Sequence, residues 1–351
     1  MDAPTSAPAS NIGASLRRAF RWAFGAVAAA LLLWSVGRVV VRDLFRSNAP
    51  AGKTRLVVMH WSGGAGQEED VIVREALDRF EASHPDIVVD RINPGDTGAY
   101  YTKLQTMMAA GTPPDVFYVG DARLPSLARM GVLMPLGELV ERGRAAGGPV
   151  GRDGVYPVTV DADRDDGERT GEGPLYGICK DFTTLGFYYN RDLFEAAGVP
   201  EPADDWTWDD FAATARTLAK LDGVTGAEFV TWPRMLRAYL LTEGVDVAPP
   251  DFATLDVESP EVTDVLQRLA SWRFDEERTL TSGKSRIAAG ETVLLTGRVG
   301  MAGPFGRGIV PNYRKIEDFE WDFAPMPRGA TDANVIAAVA WGVSAETKQP
   351  E

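Results

Sequence analysis

The sequence predicts an α/β protein built on parallel β-sheet with helices packed against it. Short apolar, β-branched runs alternate with stretches whose apolar residues recur at helical spacing, and Gly, Pro and Asn mark the joints between them. The chain is also long enough for two domains: 351 residues, 45% hydrophobic and 25% charged, is ordinary globular usage with material for sizeable cores.

Residues 55–61 form a β-branched run that ends at Ser62-Gly63-Gly64, a strand followed by a turn. Val73, Ala76, Leu77 and Phe80 then trace one helical stripe, which His84-Pro85 stops. Residues 87–92 read as the next strand, Tyr101, Leu104 and Met108 as a second helix, and 116–119 as a third strand. Parallel neighbours need a crossover, so this β-α-β-α-β order favours a parallel sheet. In such sheets ligands gather at the carboxyl ends of the strands, which puts His60, Trp61 and Asp121 at one rim. Trp61 either offers a flat face to a sugar ring or packs at a strand end, and His60 either donates to ligand or packs there too. Asp121, in a Gly-Asp turn, either accepts hydrogen bonds from vicinal hydroxyls or caps the helix from about Leu124.

Further along, Thr207-Trp208-Asp209-Asp210 has the form of a capping box, and Trp208, Phe211, Ala215 and Leu218 continue as a stripe. Ser259-Pro260-Glu261 opens another helix, with Val262, Val265, Leu266 and Leu269 on one face. Three aromatics sit beside Gly or Pro and outside any stripe: Trp232, Phe305 and Trp341. Placed on loops, such rings can stack on pyranose faces; placed at a domain edge, they pack.

Charge and motifs narrow the function. A net charge of −14 repels phosphates and argues against nucleic acid. Two histidines and the lone Cys179 leave almost nothing for a His/Cys metal site, and no cofactor motif is present. The acidic run at 161–173, DADRDDGERTGEG, does not match a calcium loop and reads as solvated. Asp209 and Asp210 suit a helix N-terminus better than a catalytic pair. No G-x-S-x-G, H-E-x-x-H or P-loop occurs, so no catalytic residue is assigned.

The N-terminus reads as membrane-directed. Residues 1–19 form a small-residue, polar segment ending in arginines, and 22–37, WAFGAVAAALLLWSVG, carry no charge. With Arg38 snorkelling, 20–41 can cross a membrane as one helix, followed by a linker at 42–54. The Ala-x-Ala site at 49–51 lies well past the apolar core, which favours an uncleaved anchor over a cleaved signal peptide.

Five stretches in order carry a resemblance: RLVVMHWSGG at 55–64, GTPPDVFYVGD at 111–121, LYGICKDFTTLGFYYNRDLF at 175–194, the Ser259 helix start, and GRVGMAGPF at 297–305. Together they resemble the extracellular solute-binding proteins of family 1, the maltose-binding-like receptors of sugar ABC importers. The resemblance implies a periplasmic-binding-protein-like fold of two lobes, each a mostly parallel sheet flanked by helices: lobe 1 at 55–180, lobe 2 at 181–334, and a return to lobe 1 from 335–351. In that family the return is followed by further elements, so the chain reads as C-terminally truncated and of marginal stability. The crossing at Lys180-Asp181-Phe182 would bring Asp181 and Thr183 beside ligand or into interlobe hydrogen bonds.

The resemblance further implies that Trp61, Asp121, Asp181, Trp232, Phe305 and Trp341 contact a solute, with Asp121, Phe305 and Trp341 sharing one cavity. Its expected partners are a carbohydrate, ABC permease subunits and, through the N-terminal helix, the membrane. The chain is expected to act as an extracytoplasmic monomer. A tethered solute sensor or scaffold is the alternative role, and a glycoside-active enzyme a more distant one.

Overall fold

The computed structural model describes residues 27, 30–31, 34, 52–62, 67–147, 156–247, 255–274 and 293–350. The chain divides into two compact units, residues 1–55 with 81–88 and residues 56–80 with 89–351. In the first, the Thr54 amide donates to the Asp86 carbonyl at 2.7 Å. Most of the predicted anchor at 20–41 lies outside the described residues; Val27, Leu31 and Trp34 are helical and exposed. Among the described residues no helix is long and apolar enough to cross a membrane.

The second unit holds both main sheets, apart from the first residues of two strands. Strand β1 (Thr54–Met59) leads to helix α1 (Gln67–Ser83), whose first-turn Glu68, Glu69 and Asp70 suit the positive end of its dipole. Then come β2 (Ile87–Ile92), α2 (Thr97–Ala109) and β3 (Val116–Gly120). Asp96 caps α2 by accepting from the amides of Gly98 and Ala99 at 2.8 and 2.9 Å. Helices α3 (Leu124–Arg129), α4 (Gly137–Ala145) and α5 (Pro157–Ala162) precede a small hairpin of β4 (Arg164–Asp165) and β5 (Thr170–Leu175).

The run at 161–173 is therefore not simply a solvated loop. Asp163 and Asp165 are buried, and the Asp165 carboxylate accepts a fork of Arg129 at 3.0 and 2.9 Å. A buried carboxylate is tolerated when a guanidinium and backbone donors take its lone pairs, and composition alone could not show that partner.

Strand β6 (Gly177–Thr183) lies in the first sheet and β7 (Gly186–Asn190) in the second, so the chain passes between sheets at Thr184-Leu185. Helices α6 (Arg191–Ala197) and α7 (Trp208–Leu218) follow, the latter with the expected Thr207–Asp210 capping box. Next are β8 (Thr225–Phe229), α8 (Pro233–Thr242) and α9 (Pro260–Phe274). The described chain ends with β9 (Val299–Phe305), a 3-10 turn at Arg307–Ile309 running into the short α10 (Val310–Tyr313), β10 (Trp321–Pro325) and β11 (Ala337–Val343).

The first sheet has the order β2-β1-β3-β11-β6 and the second β10-β7-β9-β8. Neither is mostly parallel, which corrects the expectation from the sequence. Strands β1 and β3 pair parallel, but β11 runs antiparallel to both β3 and β6. In the second sheet only β8 and β9 are parallel. The parallel pairs are the ones joined through intervening helices. Strands β6 and β11 carry the chain between the sheets in opposite directions, so where they meet they must run antiparallel.

Each sheet supports its own core. Met59, Val73, Tyr100, Leu104, Phe117 and Tyr118 pack with the first. Phe187, Trp206, Trp208, Phe211, Phe229, Tyr239 and Trp272 pack with the second, where α7 presents the stripe its sequence predicts. A further cluster of Tyr188, Phe305, Ile309 and Tyr313 lies under β9 and α10.

Candidate functional site

A cavity of about 630 Å³ opens where elements of the two cores face each other. Its floor is β-sheet. Tyr118 of β3 stands opposite Trp341 of β11 in register, and their rings meet edge to face at 4.3 Å between centroids. Helix α1 forms one side through Glu68, Glu69, Ile72 and Val73, while Arg307 of the 3-10 turn, Val310 and Pro311 of α10 and Arg314 just past it form the other.

The pairing of β11 with β6 slips between Val339 and Ala340, which leaves Lys180 as the extra residue of a bulge. Its ammonium lies 4.5 Å above the Tyr118 ring centre, a cation–π contact. Lys180 also pairs with Glu69 and, at 2.7 Å, with Asp181, whose carboxylate in turn meets Arg307. A chain of alternating charge, Glu69–Lys180–Asp181–Arg307, thus runs along the cavity from one core to the other.

Tyr118 is buried, yet its hydroxyl has no hydrogen-bond partner among the described residues. Burial, reinforced by the Glu69 and Asp181 carboxylates, pushes its acidity well out of the ordinary phenol range, so the group stays an O–H donor. A buried donor without an acceptor is costly, and this hydroxyl is closed off from solvent although the residue lines the cavity.

Of the six residues singled out from sequence, Asp181 and Trp341 border this cavity. Trp61 is buried behind Tyr118 and packs edge-on against Tyr100 and Tyr118 at 4.8 and 4.9 Å, presenting no free face. Its neighbour His60 is fully buried and fixed. Arg91 can only donate, so His60 Nε2 accepts from it at 3.0 Å and the Nδ1 proton points to the Trp61 carbonyl at 3.2 Å. Burial lowers the imidazole's proton affinity and keeps it neutral.

Asp121 does not border the cavity. Arg234 of α8 grips its carboxylate in a two-pronged pair at 2.8 and 2.6 Å, and the amides of Ala122 and Ala338 donate to the same oxygens. Arg234 also donates to the Ile336 carbonyl, at the approach to β11. With its lone pairs taken, Asp121 ties α8 of the second core to β3 and β11 of the first. Phe305 is 2% exposed within its core cluster, so Asp121, Phe305 and Trp341 do not converge. Trp232 caps the start of α8, is 48% exposed and does not line the cavity.

Tyr118, Lys180, Glu69 and Arg307 escaped the reading from sequence. Tyr118 sits inside the apolar run Val116-Phe117-Tyr118-Val119 and reads as core; nothing local shows that its hydroxyl lacks a partner. Lys180 and Arg307 each adjoin a segment that was singled out, which was the one available signal.

Two cores joined by crossing strands, with a polar and aromatic cavity where they face, define a protein built to hold a small molecule. The model of the family described as bacterial extracellular solute-binding protein matches residues 65–351, and the chain belongs to that family. A binding protein of Brucella abortus is 28% identical over 181 residues, a match that takes in 50% of this chain and 38% of that relative's length. Among solved structures, an ABC substrate-binding protein of Listeria monocytogenes in complex with cycloalternan is 25% identical, with a TM-score of 0.69 over 85% of this chain and 72% of that one. UgpB of Mycobacterium tuberculosis in complex with glycerophosphocholine has the same TM-score of 0.69 at 17% identity, over 86% and 72%, a likeness of fold.

Proposed function

We propose that this chain captures a hydroxyl-rich solute, of sugar or oligosaccharide type, in the Tyr118–Trp341 cavity and delivers it to the permease of an ABC importer. The observation that carries this reading is the cavity itself, lined by the Tyr118 and Trp341 rings and by the charges of Lys180, Asp181 and Arg307. A sugar offers an apolar C–H face to the indole. The Glu69–Lys180–Asp181–Arg307 chain supplies charge-assisted donors and acceptors for the sugar's hydroxyls. The solute-binding neighbour solved with cycloalternan supports a carbohydrate.

The chain works outside the cytoplasm in this reading, held at the membrane by residues 20–41, and changes no covalent bond. Asp181 and Trp341 are its solute contacts among the residues singled out from sequence, joined by Tyr118, Lys180 and Arg307. Closure of two hinged halves would desolvate the solute and create the surface a permease recognises.

A thermal-shift screen against a carbohydrate library tests the reading. A ligand that binds only the folded state adds roughly 2.7 kcal/mol at a hundredfold excess over Kd. The expected outcome is a dose-dependent rise in melting temperature with the sugar recovered unchanged. A library that leaves the melting temperature flat, or a sugar returned cleaved, rejects it.

A further inference from the structure

Resting on that reading of the cavity, we infer that its solute is a sugar-sized dipolar molecule, one whose hydroxyl-bearing body carries both a cationic and an anionic group. The charges that border the cavity divide into two sets. Glu69, Lys180, Asp181 and Arg307 neutralise one another in a continuous chain. Two are left over: Glu68 of α1, on the side of the first core, and Arg314, just past α10 on the side of the second. Both are exposed, and neither has a side-chain partner among the described residues. They are of opposite sign and belong to different walls of one cavity.

A neutral sugar satisfies hydroxyl-sized demands along the floor but gives these two groups nothing that water does not. A solely anionic solute would meet Arg314 while facing the carboxylate of Glu68, and a solely cationic one the reverse. A molecule with its positive end toward Glu68 and its negative end toward Arg314 matches both walls, and the pairing strengthens as water leaves the space between them. Its hydroxyls remain for Lys180 and Asp181 and its ring face for Trp341.

The test compares four probes that share one ring and differ in charge: glucose, glucosamine, glucose 6-phosphate and glucosamine 6-phosphate. Each is titrated by calorimetry and thermal shift against the full chain in a polyoxyethylene detergent, which carries no sugar head group to compete. Glucosamine 6-phosphate is expected to bind most tightly. Glu68→Gln and Arg314→Gln should each weaken it by at least about tenfold, the loss of one charge-assisted contact, and leave the melting temperature of the unliganded protein unchanged. Glu68→Gln should narrow its advantage over glucose 6-phosphate, and Arg314→Gln its advantage over glucosamine.

Tighter binding of glucose, or of a neutral oligosaccharide from the library, would overturn the dipolar assignment while leaving the solute-binding reading intact. Failure of every probe and of the whole library would remove both. Glu68 and Arg314 could instead pair with each other across the cavity. In that case the two variants would lower the unliganded melting temperature without changing probe affinity, which also overturns the assignment.

Discussion

The carboxyl end of β3 and its middle treat polar groups in opposite ways. At the end, Asp121 is saturated: a forked arginine and two amides occupy its carboxylate. At Tyr118, on the same strand, the hydroxyl is buried with no partner among the described residues, while the residue lines the cavity. A carboxylate in a Gly-Asp turn looks the better ligand, yet its charge draws Arg234 from the opposing core and becomes architecture. The phenol in an apolar strand looks like filler, yet its residue lines the cavity and carries Lys180 over its ring. Availability, more than chemical strength, separates a binding group from a structural one.

Four substitutions can break or sharpen that contrast. Phe305→Ala carries the largest expected effect, a loss of about 3–5 kcal/mol in denaturant unfolding because a buried ring leaves a cavity. If Phe305 is core, the folded fraction should bind solute with unchanged affinity; a selective loss of affinity at full stability would place its ring in the site.

Asp163 comes next. It is 1% exposed with one carboxylate oxygen unpartnered, and burial, aided by the Asp121 charge, pushes its carboxyl up to about 7. A pKa raised in the folded state means that stability is fully present below the unfolded value near 4 and is lost as pH climbs through 7. Asp163→Asn should therefore stabilise the protein above neutrality, by an upper bound of about 4 kcal/mol, and change little in acid. Parallel pH–stability curves for the two proteins would refute this.

Arg234→Ala leaves the partly buried Asp121 carboxylate without its cation and should cost about 2–3 kcal/mol. Scattering with and without solute should then show a wider distribution of arrangements of the two cores. An unchanged unfolding midpoint would mean that the pair is dispensable. Trp341→Ala is expected to show the inverse of Phe305→Ala: solute affinity falling by tenfold to a hundredfold, about 1.4–2.7 kcal/mol, for a smaller loss of stability. Equal effects from the two would erase the distinction between ring face and ring core.

Much of the fold could be read locally. The strand at Ile87–Ile92, the Thr207–Asp210 capping box and the stripe of α7 each follow from spacing and side-chain chemistry within a few residues. The placement of aromatics could not. Trp61, Phe305 and Trp341 all sit next to turn residues, but Trp61 is wedged behind Tyr118, Phe305 sinks beside Tyr188 and Tyr313, and Trp341 borders the cavity. Sequence separation hides all of these neighbours. The strand directions failed for a related reason, since a strand's own residues do not record which distant strand will pair with it.

The sequence by itself determined the alternation of strands and helices, the caps that begin α7 and α9 and, through its resemblance, membership of the solute-binding family, because these rest on periodicity, short-range hydrogen bonding and the order of motifs. Only the tertiary structure decided that Asp121 would meet Arg234, that Lys180 would lie over Tyr118, and that the Tyr118 hydroxyl would meet no partner among the described residues. Those outcomes depend on groups brought together across long stretches of chain. Whether a polar atom is satisfied is a property of its three-dimensional surroundings, which no local pattern encodes.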